Sequence, residues 1–272
     1  HPDDDRLAVF DFTSVQMQAW VASFIWPFFR ITAFLVASPL LGHSAIPNKV
    51  KLGVGLMLTV LIAPLLPPVP SVPPFSMEGF GLIVEQLLIG LAIGFCMRMV
   101  FTVAQAAGEF IGMQMGLGFA TSYSADIGAS SVIISKFLYQ ITLLMFLAFS
   151  GHLVVLELVL DTFRVLPIGG VPMNPGAWKL MALYAGTIFS TGLLLALPLI
   201  GALLLMNLAM GILNRSAPQL TVFSIGFPLT LTVGLVLMMV MMTSMGPFLE
   251  HQFYSGFEFI KVMLAALGEK RT

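Results

Sequence analysis

The chain has 272 residues, of which 58% are hydrophobic and only 9% charged, with a mean hydropathy of +0.99. A soluble domain of that composition would lack the polar surface needed to stay dissolved, so a membrane class is indicated throughout. A net charge of -1 with a pI near 6.5 removes the electrostatic basis for nucleic-acid binding, and the single cysteine, Cys96, excludes an intrachain disulfide.

The acidic run Asp3, Asp4, Asp5 is unlike the basic start of a signal peptide, and residues 1–10 read as a processed, truncated or non-native segment. Six apolar blocks follow. The first, Val15 to Leu40, carries Pro27 and Arg30 near its middle; the second, Leu52 to Leu66, is 15 residues long and runs into a proline cluster. The third, Phe80 to Ala104, holds Glu85 and Gln86 at one end and Arg98 at the other. The fourth runs from Phe137 to Leu156 between Lys136 and Glu157.

The fifth and sixth blocks form a hairpin pattern. Between Lys179 and Glu250 the only charge is Arg215, in the turn Asn214-Arg215-Ser216-Ala217-Pro218-Gln219. Leu180 to Asn214 is 35 residues and Ser216 to Leu249 is 34. A span needs about 20 residues, so each arm exceeds the bilayer and must tilt, kink at Pro198 or Pro228, or leave the lipid under a cover of protein. Leu, Met, Ala and Gly without alternation favour helix over strand in every block, giving an all-α membrane-associated fold with long kinked hairpins.

Charge bias gives a split topology. Arg30, Lys49 and Lys51 favour an external N-terminus, whereas Lys261, Lys270 and Arg271 favour an internal C-terminus. Six simple spans would place both ends on one side. Either the tail escapes the rule or at least one block is re-entrant or does not span.

Gly108 to Gly128 is the segment that invites a functional reading. Gly108, Gly112 and Gly116 are spaced by four and would share a helical face open to close packing, while Met113 and Met115 add deformable bulk. Downstream, a run rich in Gly, Ser, Thr and Ala suits a loop. The spacing fits either an ordinary packing face with a connector or a mobile closure element.

Enzyme signatures are absent: there is no HExxH, GxSxG, phosphate-binding loop or paired cysteine. No metal or cofactor is expected. Glu157 and Asp161 read as a solvated helix end. Glu85, Arg98 and Glu109 each need a partner or water at membrane depth, and a proton path through them is the transporter alternative. That alternative also requires two related halves, and no repeat is evident.

Five ordered stretches carry a resemblance over nearly the whole chain: AIPNKVKLGVG (45–55), GEFIGMQMGLGFA (108–120), FSGHL (149–153), DTFRVLPIG (161–169) and NRSAPQLTVFSIGFPLT (214–230). They resemble the FliR/SctT family of type III secretion export-gate proteins, with wording closest to its flagellar members; the alternative is an injectisome SctT homologue with the same role. The acidic N-terminus and the TSYSADIGAS loop depart from that pattern.

The resemblance implies a non-enzymatic subunit of a helical pore complex with several copies each of FliP and FliQ, and with FlhB and FlhA as further partners. Unfolded flagellar substrates would pass through the pore, driven by the proton-motive force and an ATPase complex elsewhere. Residues 11–175 would be a FliP-like portion and 176–272 a FliQ-like hairpin and tail. The family's plug loop maps onto residues 108–123, here Gly108, Glu109, Phe110, Ile111, Gly112, Met113, Gln114, Met115, Gly116, Leu117, Gly118, Phe119 and the loop beyond. Asn214, Arg215, Pro218 and Gln219 would form the structural hairpin turn. The implied location is the bacterial inner membrane, in the flagellar basal body, with much of the chain on the periplasmic side.

Overall fold

The apolar runs fold as helices. A computed structural model describes residues 14–67, 69–70, 72–118, 133–216 and 225–269, with side chains from residue 21 onward. The elements in chain order are α1 (Ser14–Ala37), α2 (Asn48–Ile62) with a short 3-10 turn (Ala63–Leu65), α3 (Met77–Gln114), α4 (Ile133–Ala148), α5 (Gly151–Val165), α6 (Pro175–Tyr184), α7 (Gly186–Ser216) and α8 (Phe227–Gly268). Among the described residues there is no strand, so the protein is all-α. Residues 1–10 lie outside the described residues.

Local chemistry sets several boundaries. Ser76 caps α3: its hydroxyl accepts from the Gly79 N–H at 2.9 Å, with Glu78 in the first turn to favour the helix dipole. Asn174 caps α6 in the same way, its Oδ1 accepting from the Gly176 N–H at 2.9 Å ahead of Pro175, whose missing N–H needs no partner there. Pro228 lies near the start of α8, just after a π-helical turn at Ile225 and Gly226, and among the described residues Pro27, Pro198 and Pro247 lie further inside helices.

The fourth apolar block is two helices. α4 and α5 meet at a 72° bend, where Ser150 adopts φ 56°. Gly151 follows because the Phe146 ring lies over it: a Cβ there would stand 2.5 Å from the ring's Cε2. Among the described residues four helical stretches are long and apolar enough to cross a membrane (Asn48–Leu65, Met77–Gln114, Pro175–Ser216 and Phe227–Gly268), or five if the bent pair forms one span. The six blocks are therefore not six equal spans. The α6–α7 stretch is the least covered, with 17% of its most apolar window buried within the chain.

The helices divide into two compact units, each discontinuous in sequence. The first comprises residues 1–97, 155–178 and 260–272. Here α1 lies against α2, where Gly55 faces the Thr32 hydroxyl, and against the first half of α3, where Gly90 and Gly94 admit the α1 backbone. A Cβ on Gly90 would collide with the Arg30 carbonyl oxygen, and one on Gly94 would meet the Ala37 Cβ at 2.5 Å. This is the small-xxx-small packing that membrane helices use. Trp26, Ala22 and Leu82 form a buried cluster covered by Val69, Val72 and Ile168.

The second unit comprises residues 98–154 and 179–259. Phe101 is its aromatic hub, with ring centroids 5.1 Å from Phe146, 5.6 Å from Phe253 and 6.2 Å from Tyr139. Such contacts add about 0.5–1.5 kcal/mol per pair beyond burial. Gly192 lets α7 approach α3 at Val103 and Ala106, and Gly256 seats α8 over Val100.

Candidate functional site

The glycine-methionine segment ends α3. Gly108 is a packing glycine: a Cβ there would stand 2.7 Å from the Ser135 backbone nitrogen, so α4 runs directly over it. Ser135 reinforces the crossing by donating its hydroxyl to the Gln105 carbonyl at 3.0 Å. Beyond Gly108 the side chains divide by helical face. Ile111 and Met115 are fully buried at 0% exposure, Gly112 is buried, and Met113 is 55% exposed. Glu109, Phe110, Gln114, Leu117 and Gly118 are half-buried.

Gly116 leaves the glycine face that its spacing implied. Its φ of +82° stops the helix, and two hydrogen bonds close the end: Gly116 N–H to the Met113 carbonyl at 3.0 Å, and Leu117 N–H to the Gly112 carbonyl at 3.0 Å. This 5→2 and 6→1 pair is a Schellman cap, which needs a residue tolerant of left-handed backbone at that position. Hence Gly108 serves close packing and Gly116 serves termination. Phe119 and the rest of the expected plug loop, through residue 123, lie outside the described residues.

From α8, two residues meet this helix end. The Phe227 ring faces Gly116, whose Cβ would lie 3.2 Å from Cδ2, and Gly234 lies beneath Met115. The spacing of seven residues puts both on one face of α8.

At the hairpin, Asn214 and Arg215 occupy the last turn of α7, with Arg215 exposed. A cation there complements the helix dipole. Pro218 and Gln219 lie outside the described residues.

A buried polar cluster in the first unit was not singled out in the sequence as a site. Arg30, 0% exposed, donates from Nε to Gln86 Oε1 at 2.7 Å, and from its two terminal nitrogens to Thr162 Oγ1 at 3.1 Å and the Leu166 carbonyl at 2.9 Å. Its guanidinium also lies over the Phe163 ring, 4.3 Å from the centroid. Gln86 in turn donates to Glu85 Oε1 at 3.1 Å, and Glu85 accepts from the Gly169 backbone. One arginine thus ties α1 to α3 and to the end of α5. The available signal was an arginine in mid-block, since an ionisable group at such a depth requires partners. Of the other charges that needed one, Arg98 is exposed and Glu109 half-buried. Among the described residues no group of three His, Cys, Asp or Glu side chains could hold a metal ion.

Comparison with known proteins gives a consistent relationship. The model of the family described as bacterial export proteins, family 1, matches residues 21–256. The flagellar biosynthetic protein FliR of Escherichia coli K12 is 44% identical over 255 residues, covering 94% of this chain and 97% of that protein. The protein of the same name from Pectobacterium carotovorum is 43% identical over 257 residues, with 94% and 98% covered. The one from Bacillus subtilis is 29% identical over 249 residues, with 90% and 96% covered. The chain belongs to the bacterial export proteins, family 1, in its FliR branch: a helical membrane protein of the flagellar export apparatus.

Proposed function

We propose that this chain is a non-enzymatic gate subunit that assembles with FliP-like and FliQ-like partners in the bacterial inner membrane, with much of it on the periplasmic side, and that the end of α3 plugs the pore they form. Unfolded flagellar proteins are the substrates. The reading draws on the family relationship and on one observation: the glycine-methionine segment is a helix end with two faces. Ile111 and Met115 anchor it, while Met113 is exposed and Phe110 and Leu117 are half-exposed. A fixed support carrying deformable apolar side chains can seal against ions by packing, and methionine adapts to irregular surfaces better than branched residues do. Exposed apolar surface on α7 and α8, including Phe189, Leu194, Leu205, Met239 and Val240, gives partners and lipid ample area to cover.

Deletion of Phe110 to Gly116 tests the reading when leak and assembly are measured in the same membranes. The proposal expects a complex that assembles and passes ions, seen as lost membrane potential on expression. An assembled, ion-tight deletion would refute the plug. Because Ile111 and Met115 are internal, Met113→Ser with Leu117→Ser provides a second variant that leaves the anchored face intact and should also leak.

A further inference from the structure

We propose that Met115 and Gly234 form a latch by which α8 holds the closure segment in place, so that opening requires Met115 to leave Gly234. The inference rests on the plug reading above for its consequence, although the contact itself does not depend on it.

Met115 is 0% exposed, yet it is the last residue before the left-handed Gly116. A Cβ on Gly234 would stand 2.7 Å from Met115 Cγ, 2.9 Å from Sδ and 2.8 Å from Cε. Three successive side-chain atoms therefore lie along the bare Cα of Gly234. A Cβ at 234 would stand under 3.0 Å from all three, so even alanine there would make the flexible end of Met115 shift. Phe227 packs on the adjacent Gly116 two turns earlier on α8, and Thr230, 7% exposed, lies between them on the same face. Thr230 spends its hydroxyl on the Gly226 and Phe227 carbonyls, at 3.0 Å each, and so adds no competing polar demand to that face.

The consequence is a coupling between two distant parts of the sequence. Gly116 carries the backbone reversal, and Met115, one residue earlier, is seated on α8. A displacement of the first turns of α8 withdraws the seat, whereas a displacement of the helix end first has to extract a buried methionine. Burying such a side chain corresponds to a bias of roughly tenfold or more in favour of the seated state. Gly234 is thus a positioning residue for the gate. It need not touch substrate.

A size-swap cycle tests this in the complex with its partners. Gly234→Val should expel Met115 and give a complex that assembles and leaks; adding Met115→Ala should restore tightness, because the valine then fills the space that the methionine vacates. Assembled and ion-tight Gly234→Val would overturn the proposal, as would a double variant that leaks as much as the single one. If Gly234→Val does not assemble, Met115→Cys paired with Gly234→Cys decides the matter, the native Cys96 being buried. Oxidation should block secretion and reduction restore it; full secretion by the oxidised pair would overturn the latch. The Phe110 to Gly116 deletion distinguishes the two readings: if it is ion-tight the plug fails, while the redox control of secretion still reports on the latch.

Discussion

Arg30→Met should weaken the first unit by an amount that can be worked from its partners. The guanidinium donates three hydrogen bonds, of 2.7, 3.1 and 2.9 Å, inside a fully buried site. Its loss leaves the Gln86 amide oxygen and the Leu166 carbonyl without this donor, whereas Thr162 keeps the bond its hydroxyl donates to the Val159 carbonyl at 2.6 Å. Each stranded buried acceptor costs about 1–3 kcal/mol, so the total is about 2–6 kcal/mol, reduced by the desolvation that the buried cation no longer suffers. At about 2–4 °C per kcal/mol for a protein of this size, the stranded acceptors alone correspond to a fall of about 4 °C or more in the melting temperature of the purified complex, from which the relieved desolvation is subtracted. Adding Gln86→Leu should recover part of the loss by removing one stranded acceptor. The reasoning fails if Arg30→Met melts within about 1 °C of the parent, a shift below what even one stranded acceptor requires.

Other substitutions probe the remaining elements. Gly90→Val should abolish folded complex, because its side chain would meet the α1 backbone, whereas Gly53→Ala, with nothing within 4 Å, should be neutral or stabilise by up to about 1 kcal/mol; complex yield and melting compare them. Gly116→Ala should cost roughly 1–2 kcal/mol through its left-handed backbone, and Gly116→Val should add bulk against Phe227 and lower secretion without leak. Arg215→Leu should reduce assembly with the partners more than it alters leak in whatever complex forms; normal assembly with a large leak would reverse the structural role given to the α7 end.

Much of the architecture was legible because it depends on local composition. The long hairpin arms followed from the scarcity of charge between Lys179 and Glu250: the end of α6 and then α7 carry the first, and α8 carries the described part of the second beyond Phe227 and continues past Glu250 to Gly268. Residue boundaries were less legible. α3 extends ten residues beyond Ala104 because Glu109 is only half-buried and does not have to break the helix, and Gly116 supplies the stop. At the break Ser150 takes φ 56° and the Phe146 ring covers Gly151, a contact that apolar patterning alone does not specify.

The partners of Arg30 were illegible for a different reason. Thr162 and Leu166 lie 132 and 136 positions away, so a single sequence can show that the arginine needs partners and cannot say which they are. The seat of Met115 on Gly234 is of the same kind. In contrast, Gly90 and Gly94 carried a readable spacing of four in a single helix, the same signal read at Gly108, Gly112 and Gly116, of which Gly116 instead ends the helix. That spacing shows where a backbone can approach without showing which helix does.

An image of the chain assembled with its FliP-like and FliQ-like partners, at a resolution that shows side chains, tests the gating account most directly. The account predicts a closed central channel in which Met113, Phe110 and Leu117 face the axis, with Met115 seated on Gly234 behind them. A channel closed by other residues, with the end of α3 turned toward lipid or the outer surface of the complex, would contradict it.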